Sequence, residues 1–222
     1  MKKVETSKSM KNYKRLTFGE EVANAVSHGV MVVFLLFAFP YIGVKAYLDG
    51  GWLLVFGDTI FIVSLFLMFM GSTLYHSMEN DSQAKYIFRI LDHSFIFVAI
   101  AGTYTPIALT VLDSSTAIAI LLLQWIMVVM GILQKTVIKK ELPKLSLAIY
   151  IVMGWVAVLI APQLIRTANP IFLFLIVLGG IFYSVGVAFY VQKEKKYFHF
   201  IWHLFINLAS ICHMIAIIFY MV

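Results

Sequence analysis

Apolar positions fall into seven long runs, at about 23–47, 52–76, 86–111, 115–134, 145–162, 170–191 and 199–222. The gaps between runs are short and hold Gly, Pro, Asp, Asn or Lys, the residues that punctuate helices. Each run is close to the roughly 20 residues that carry a helix across a bilayer. The pattern therefore predicts an all-α membrane protein, a bundle of seven transmembrane helices over residues 21–222. Residues 1–20 are polar and lysine-rich, which predicts a solvated tail ending in a short surface helix around Leu16–Glu21. The first apolar stretch is too long for a cleaved signal peptide, so an uncleaved anchor is expected there.

Composition agrees with this frame and closes off alternatives. Of 222 residues, 62% are hydrophobic and 13% charged, and mean hydropathy is +0.93. A water-soluble globule carries about 25% charged residues, so that class is excluded, as is a disordered chain. A single cysteine, Cys212, leaves no internal disulfide and no CxxC motif.

The net charge of +6 acquires its meaning from where the charges sit. Of the 17 lysines and arginines, all but Lys45 and Arg166 fall in the tail or in alternate connections. The positive-inside rule then predicts a cytoplasmic N-terminus and an outside C-terminus, in the cell membrane. The basicity is a topology signal and not a nucleic-acid signal. Tyr41, Tyr47, Trp52 and Tyr220 are expected at the outer interface, and Tyr75, Tyr86, Tyr190, Tyr197 and Trp202 toward the inner one. Gly180, Ser184 and Ala188 form a small-residue stripe expected to pack inside the bundle.

Polar side chains within spans are costly and mark function by default. Here they gather at one predicted depth. The second run ends Gly71-Ser72-Thr73-Leu74-Tyr75-His76, the third begins with Asp92-His93, and the seventh opens with His199 and His203. The first run enters with Glu21, Asn24, Ser27 and His28. His199 and His203 are i and i+4, so two imidazoles on one helix face can share a metal. Neutral imidazole suits zinc, and three histidines with an open position form a catalytic zinc arrangement. Glu21, Asn24 and His28 are expected to support such a site or the helix packing around it. Asp92 is assigned inward, and His93 to a hydrogen bond with a neighbouring helix. His213, deeper in the last run, is expected to bond between helices, and Asp58 to reach interface water.

In order along the chain, Glu21-x-x-Asn24-x-x-Ser27-His28, Ser72-x3-His76, Leu91-Asp92-His93 and His199-x3-His203 resemble the haemolysin III family. That family is the bacterial branch of the progestin and adipoQ receptor family and is distantly similar to alkaline ceramidases. The resemblance implies a seven-helix bundle and a zinc ion held by His76, His199 and His203. It also implies that Asp92 and Ser72 act beside the metal. Hormone binding is not implied, because the long soluble N-terminal region of the eukaryotic receptors has no counterpart in these residues.

Three function classes are open on this reading. The leading one is an intramembrane zinc-dependent hydrolase of a lipid amide or ester, with Asp92 and Ser72 as catalytic residues and membrane lipid as partner. The second is a non-enzymatic receptor or regulator of membrane lipid state with structural zinc. The third is a pore-forming cytolysin, disfavoured because the fourth, fifth and sixth runs lack ionisable residues at their centres. The charge pattern makes a direct prediction. Reporter fusions should place Val222 outside and the 135–144 loop inside; a C-terminal fusion active only in the cytoplasm would mean an even number of spans.

Overall fold

The computed structural model describes residues 15–137, 142–192 and 194–222. Residues 1–14 of the predicted tail, together with Lys139, Lys140 and Lys193, lie outside the described residues. The described chain is all-helical: α1 (Phe18–Ser77), α2 (Gln83–Thr110), α3 (Ser114–Thr136), α4 (Pro143–Trp155), α5 (Ala157–Thr167), α6 (Pro170–Tyr190) and α7 (Phe198–Tyr220). Taking α4 and α5 as one segment, Pro143–Thr167, six helical segments are long and apolar enough to cross a membrane.

The first two runs form α1, whose 60 residues would reach about 90 Å if straight. The helix is instead interrupted at Gly51, with φ 67° and ψ −158°, a region open essentially to glycine alone. Its two limbs lie side by side in opposite directions, since Glu21 and Asn24 near the start both meet His76 near the end. Among the described residues no separate surface helix precedes it. Thr17 caps the helix, its side chain accepting from Glu20 N while the Glu20 carboxylate accepts from Thr17 N, so Phe18–Glu21 is the first turn of α1 itself. The capping box stops the chain fraying where the sequence pattern suggested a break.

The returning limb of α1 forms the centre of the bundle. Phe61 and Phe69 are fully buried there, with Ile62 and Leu65 at 1% exposure. Close backbone approach lets α2 cover it: a Cβ at Gly57 would sit 2.9 Å from Pro106 Cα. The first limb of α1 and α7 complete the core, α3 packs on α2, and α6 packs on α7. Large apolar side chains such as Phe37, Leu48, Trp52 and Leu159 point outward, as a lipid-facing surface requires.

Two details differ from the sequence reading. Gly180, Ser184 and Ala188 face outward, and beyond its chain neighbours and its own helix backbone a Cβ at Gly180 would meet nothing within 4 Å among the described residues. The close contact with α7 is made by Gly179, against His213, and Gly186, against Trp202 and Phe205. Those two glycines are seven residues apart and share the inward face. Asp58 is buried at 3% exposure and does not reach interface water; its Oδ1 has no hydrogen-bond partner among the described residues.

The predicted fifth run is broken at Val156. A helix interruption inside an apolar bundle frees carbonyls that must find other donors. Gln124 Nε2 donates to the Met153 carbonyl at 2.9 Å and the Tyr104 hydroxyl to the Gly154 carbonyl at 2.7 Å. Side chains from α3 and α2 thus replace the missing helical partners. At the start of α3, Asp113 accepts from Ser115 N and Thr116 N at 3.1 and 3.0 Å. A further hydrogen bond from the Ser115 hydroxyl holds the Asp113 carboxyl well below the usual range.

Tyr104→Phe should expose the cost of that break. It strands the Gly154 carbonyl in the bundle, and unfolding in detergent should show a loss of about 1–3 kcal/mol. Gly180→Ala, on the outward face, should leave stability within about 0.5 kcal/mol of wild type.

Candidate metal centre

Three histidines from two helices converge at the end of the bundle where α1 and α7 begin. His76 lies in the last turn of α1, while His199 and His203 lie in the first two turns of α7. One ligand atom from each can be chosen so that all three lie within 4.8 Å of one another. The rings are mutually adjacent, with centroids 5.3 Å apart for His76–His199, 5.1 Å for His76–His203 and 4.7 Å for His199–His203. His76 and His203 are buried, at 3% and 2% exposure; His199 is half-buried.

The surrounding polar groups decide which nitrogens face one another. Glu21 Oε2 accepts from His76 Nδ1 at 2.7 Å, which leaves Nε2 as the free nitrogen of that ring. The Asn24 carbonyl, 3.3 Å from His203 Nδ1, fixes that nitrogen as the protonated one. Ser27 Oγ lies at 3.3 Å from the same atom. Carbonyl and carboxylate partners on the outer ring nitrogen orient an imidazole and raise its basicity as a ligand.

The inner nitrogens suit a shared cation. His199 Nε2 and His203 Nε2 are 3.2 Å apart, close to the ~3.3 Å edge of a tetrahedron with ~2.05 Å zinc–nitrogen bonds. The same spacing admits one N–H···N hydrogen bond, but His76 Nε2 is buried with no hydrogen-bond partner among the described residues. A cation shared by the three rings satisfies that nitrogen.

The remaining polar residues of the sequence reading arrange themselves around this triad. The Asp92 carboxylate lies near Ser72 and feels the charge of His76, Ser72 Oγ has no hydrogen-bond partner among the described residues, and the Asp92 backbone lies close to Gly71. His28 is stacked on His203, rings parallel within 5° and centroids 3.8 Å apart, with its edge toward Phe69. Among the described residues the His93 ring makes no hydrogen bond to a neighbouring helix. Its Nδ1 lies 2.8 Å from the Arg89 carbonyl, one turn back in α2. It is the His93 backbone carbonyl that is used between helices, by the Tyr150 hydroxyl of α4 at 2.6 Å. His213 lies apart from the cluster and meets the Ile176 carbonyl of α6 at 3.2 Å. Asn207, also on α7, donates to the Ser27 carbonyl of α1 at 3.0 Å.

Comparison with known proteins places this geometry in a lineage. The family described as Haemolysin-III related matches residues 16–214. The chain belongs to the haemolysin III family. Its relatives include the hemolysin-3 homolog of Bacillus subtilis (strain 168), 36% identical over 206 residues, covering 93% of this chain and 96% of the relative. Hemolysin-3 of Bacillus cereus is 34% identical over 201 residues, covering 90% and 91%. The haemolysin III match spans every residue of the histidine triad and its supports.

Sequence reasoning overlooked Lys85 as part of this haemolysin III site, having read it only as a topology charge. Its Nζ donates to Glu21 Oε1 at 2.7 Å and to the Met78 carbonyl at 3.1 Å. At 5% exposure it neutralises the carboxylate that holds His76. A lysine at a predicted helix entrance seldom signals burial, so no sequence signal distinguished it.

A buried pair of this kind makes a cycle of variants informative. Glu21→Gln leaves Lys85 buried without its anion and should cost about 3 kcal/mol or more in detergent unfolding. Adding Lys85→Met should recover part of that loss. A double variant no more stable than Glu21→Gln alone would show that the two side chains are not coupled.

Proposed function

We propose that this haemolysin III protein is a zinc-dependent hydrolase of a membrane lipid, cleaving an amide or ester near the cytoplasmic face of the cell membrane. The observation that carries the proposal is a set of three histidines, His76, His199 and His203, with no fourth metal-ligating side chain gathered to it among the described residues. Catalytic zinc sites characteristically have three protein ligands and an open position, whereas structural sites are closed by four.

His76, His199 and His203 would hold the metal. Bound there, zinc would supply Lewis acidity for a carbonyl and for an attacking water. Asp92 would accept a proton from attacking water and return it to the leaving group, and Ser72, near it, would donate a hydrogen bond to developing negative charge. Glu21 and the Asn24 carbonyl keep two of the rings oriented throughout. The lipid-facing helix surfaces suit a substrate that arrives from within the bilayer.

A regulator of lipid state with structural zinc is the second reading, favoured by the burial of His76 and His203. The name of the B. cereus relative, hemolysin-3, adds cytolysis as a third outcome to be tested. The three histidines gather at one end of the bundle instead of lining its depth, which argues against a pore.

Purified protein should contain one zinc per chain, and His203→Ala should lose most of it. Asp92→Asn should retain zinc while losing roughly 10²-fold or more of turnover on a panel of amide and ester lipids. Zinc-loaded wild-type protein inert on the whole panel would favour the regulator, and ion flux through the protein in liposomes would favour the pore. Metal retained by His203→Ala but lost on mutating His28 or His213 would identify a different ligand set.

A further inference from the structure

We propose that Glu20 is a positioning residue of the metal centre, holding the first turn of α7 so that His199 stays in reach of His76 and His203. The inference rests on the metal-centre reading above and assigns a role to a residue outside the histidine motifs.

Glu20 is buried at 6% exposure and both its oxygens are engaged. Oε2 accepts from Thr17 N at 2.9 Å and Thr17 Oγ at 2.8 Å, closing the capping box of α1. Oε1 reaches across the bundle end and accepts from the backbone N–H of Tyr197 at 2.9 Å. One carboxylate therefore joins the beginnings of α1 and α7, which are 177 positions apart in sequence.

Tyr197 has reason to need this partner. It is the N-cap of α7, makes no side-chain cap, and has φ 61° and ψ 2°. That left-handed conformation is uncommon for a bulky residue and persists where surrounding contacts enforce it. A second contact supports the placement: a Cβ at Gly19 would lie 3.0 Å from the Tyr197 hydroxyl, so the tyrosine side chain reaches the first turn of α1. The Tyr197 carbonyl in turn accepts the first helical hydrogen bond of α7, from Ile201 N at 2.9 Å.

The two histidines of α7 depend on this anchor unequally. His199 lies in the first turn, where backbone N–H groups lack helical partners and fraying starts. His203 lies a turn deeper and is held separately by the Asn24 carbonyl and Ser27. Loss of the Glu20–Tyr197 bond should release His199 and leave His203 in place. Glu20→Ala is thus expected to mimic His199→Ala.

Zinc affinity of the purified full chain, measured by chelator competition, tests this, with cobalt(II) spectra reporting the ligand set. Glu20→Ala should weaken zinc about 10- to 100-fold, the range for loss of an outer support, and give the cobalt spectrum of His199→Ala. In the His199→Ala background, Glu20→Ala should cost nothing further. Glu20→Gln, which keeps an acceptor for Tyr197, should stay near wild type. Thr17→Ala, which disrupts the α1 cap alone, should also leave zinc affinity unchanged. Wild-type affinity in a folded Glu20→Ala protein, or an equal loss in Thr17→Ala, would overturn the role of Glu20 and leave the metal centre standing. A wild-type protein that takes up no zinc would overturn the metal centre itself.

Discussion

When α1 reverses at Gly51, Glu21 and His76 come to lie 2.7 Å apart although 55 positions separate them in sequence. The rest of the site depends on that reversal. It places a carboxylate beside one histidine, brings the Asn24 carbonyl and Ser27 to a second, and leaves room for α7 to contribute both His199 and His203. A side chain at position 51 would oppose the backbone conformation that makes the turn. The reversal also makes the returning limb of α1 the axis of the core, so the histidine at its end is buried from the outset.

Burying this many polar groups in an apolar bundle is expensive unless each finds a partner. The chain meets the constraint in two ways. At the histidine end, polar groups are linked in short relays, with Lys85 on Glu21, Glu21 on His76, and the Asn24 carbonyl on His203. Midway along α4 and α5, side chains of other helices take up the carbonyls released where the helix is broken. Exceptions remain among the described residues, including Asn24 Oδ1, both ring nitrogens of His28 and Ser72 Oγ beside the histidine cluster. His76 Nε2 remains without a partner among the described residues and belongs to the three-ring set suited to a cation.

The ends of α1 and α7 illustrate how local and distant requirements meet in one side chain. Glu20 completes a helix cap that the sequence Thr17-Phe18-Gly19-Glu20 advertises, since Ser or Thr followed three residues later by Glu is a helix-start pattern. The same carboxylate also takes an amide of Tyr197. Only the first of these duties can be read locally. The second exists because α1 and α7 are neighbours at that end of the bundle.

Hydrophobic run lengths and charge asymmetry were enough to specify an all-helical membrane protein, and i, i+4 spacing to pair His199 with His203, because segment length and spacing both act within a single helix. Adding His76 to that pair rested on the resemblance of the ordered polar motifs to the haemolysin III family. What the tertiary structure alone decided is which groups face each other across helices. The sequence could not show that Gly179 and Gly186, and not Gly180, meet α7, because neighbouring positions differ only in azimuth. Nor could it show that the His93 ring would turn back onto its own helix, that Asp58 would be buried, or that Lys85 would neutralise Glu21. Each of those outcomes is set by helix rotation and by the partner that packing supplies, and neither is encoded in any one stretch of chain.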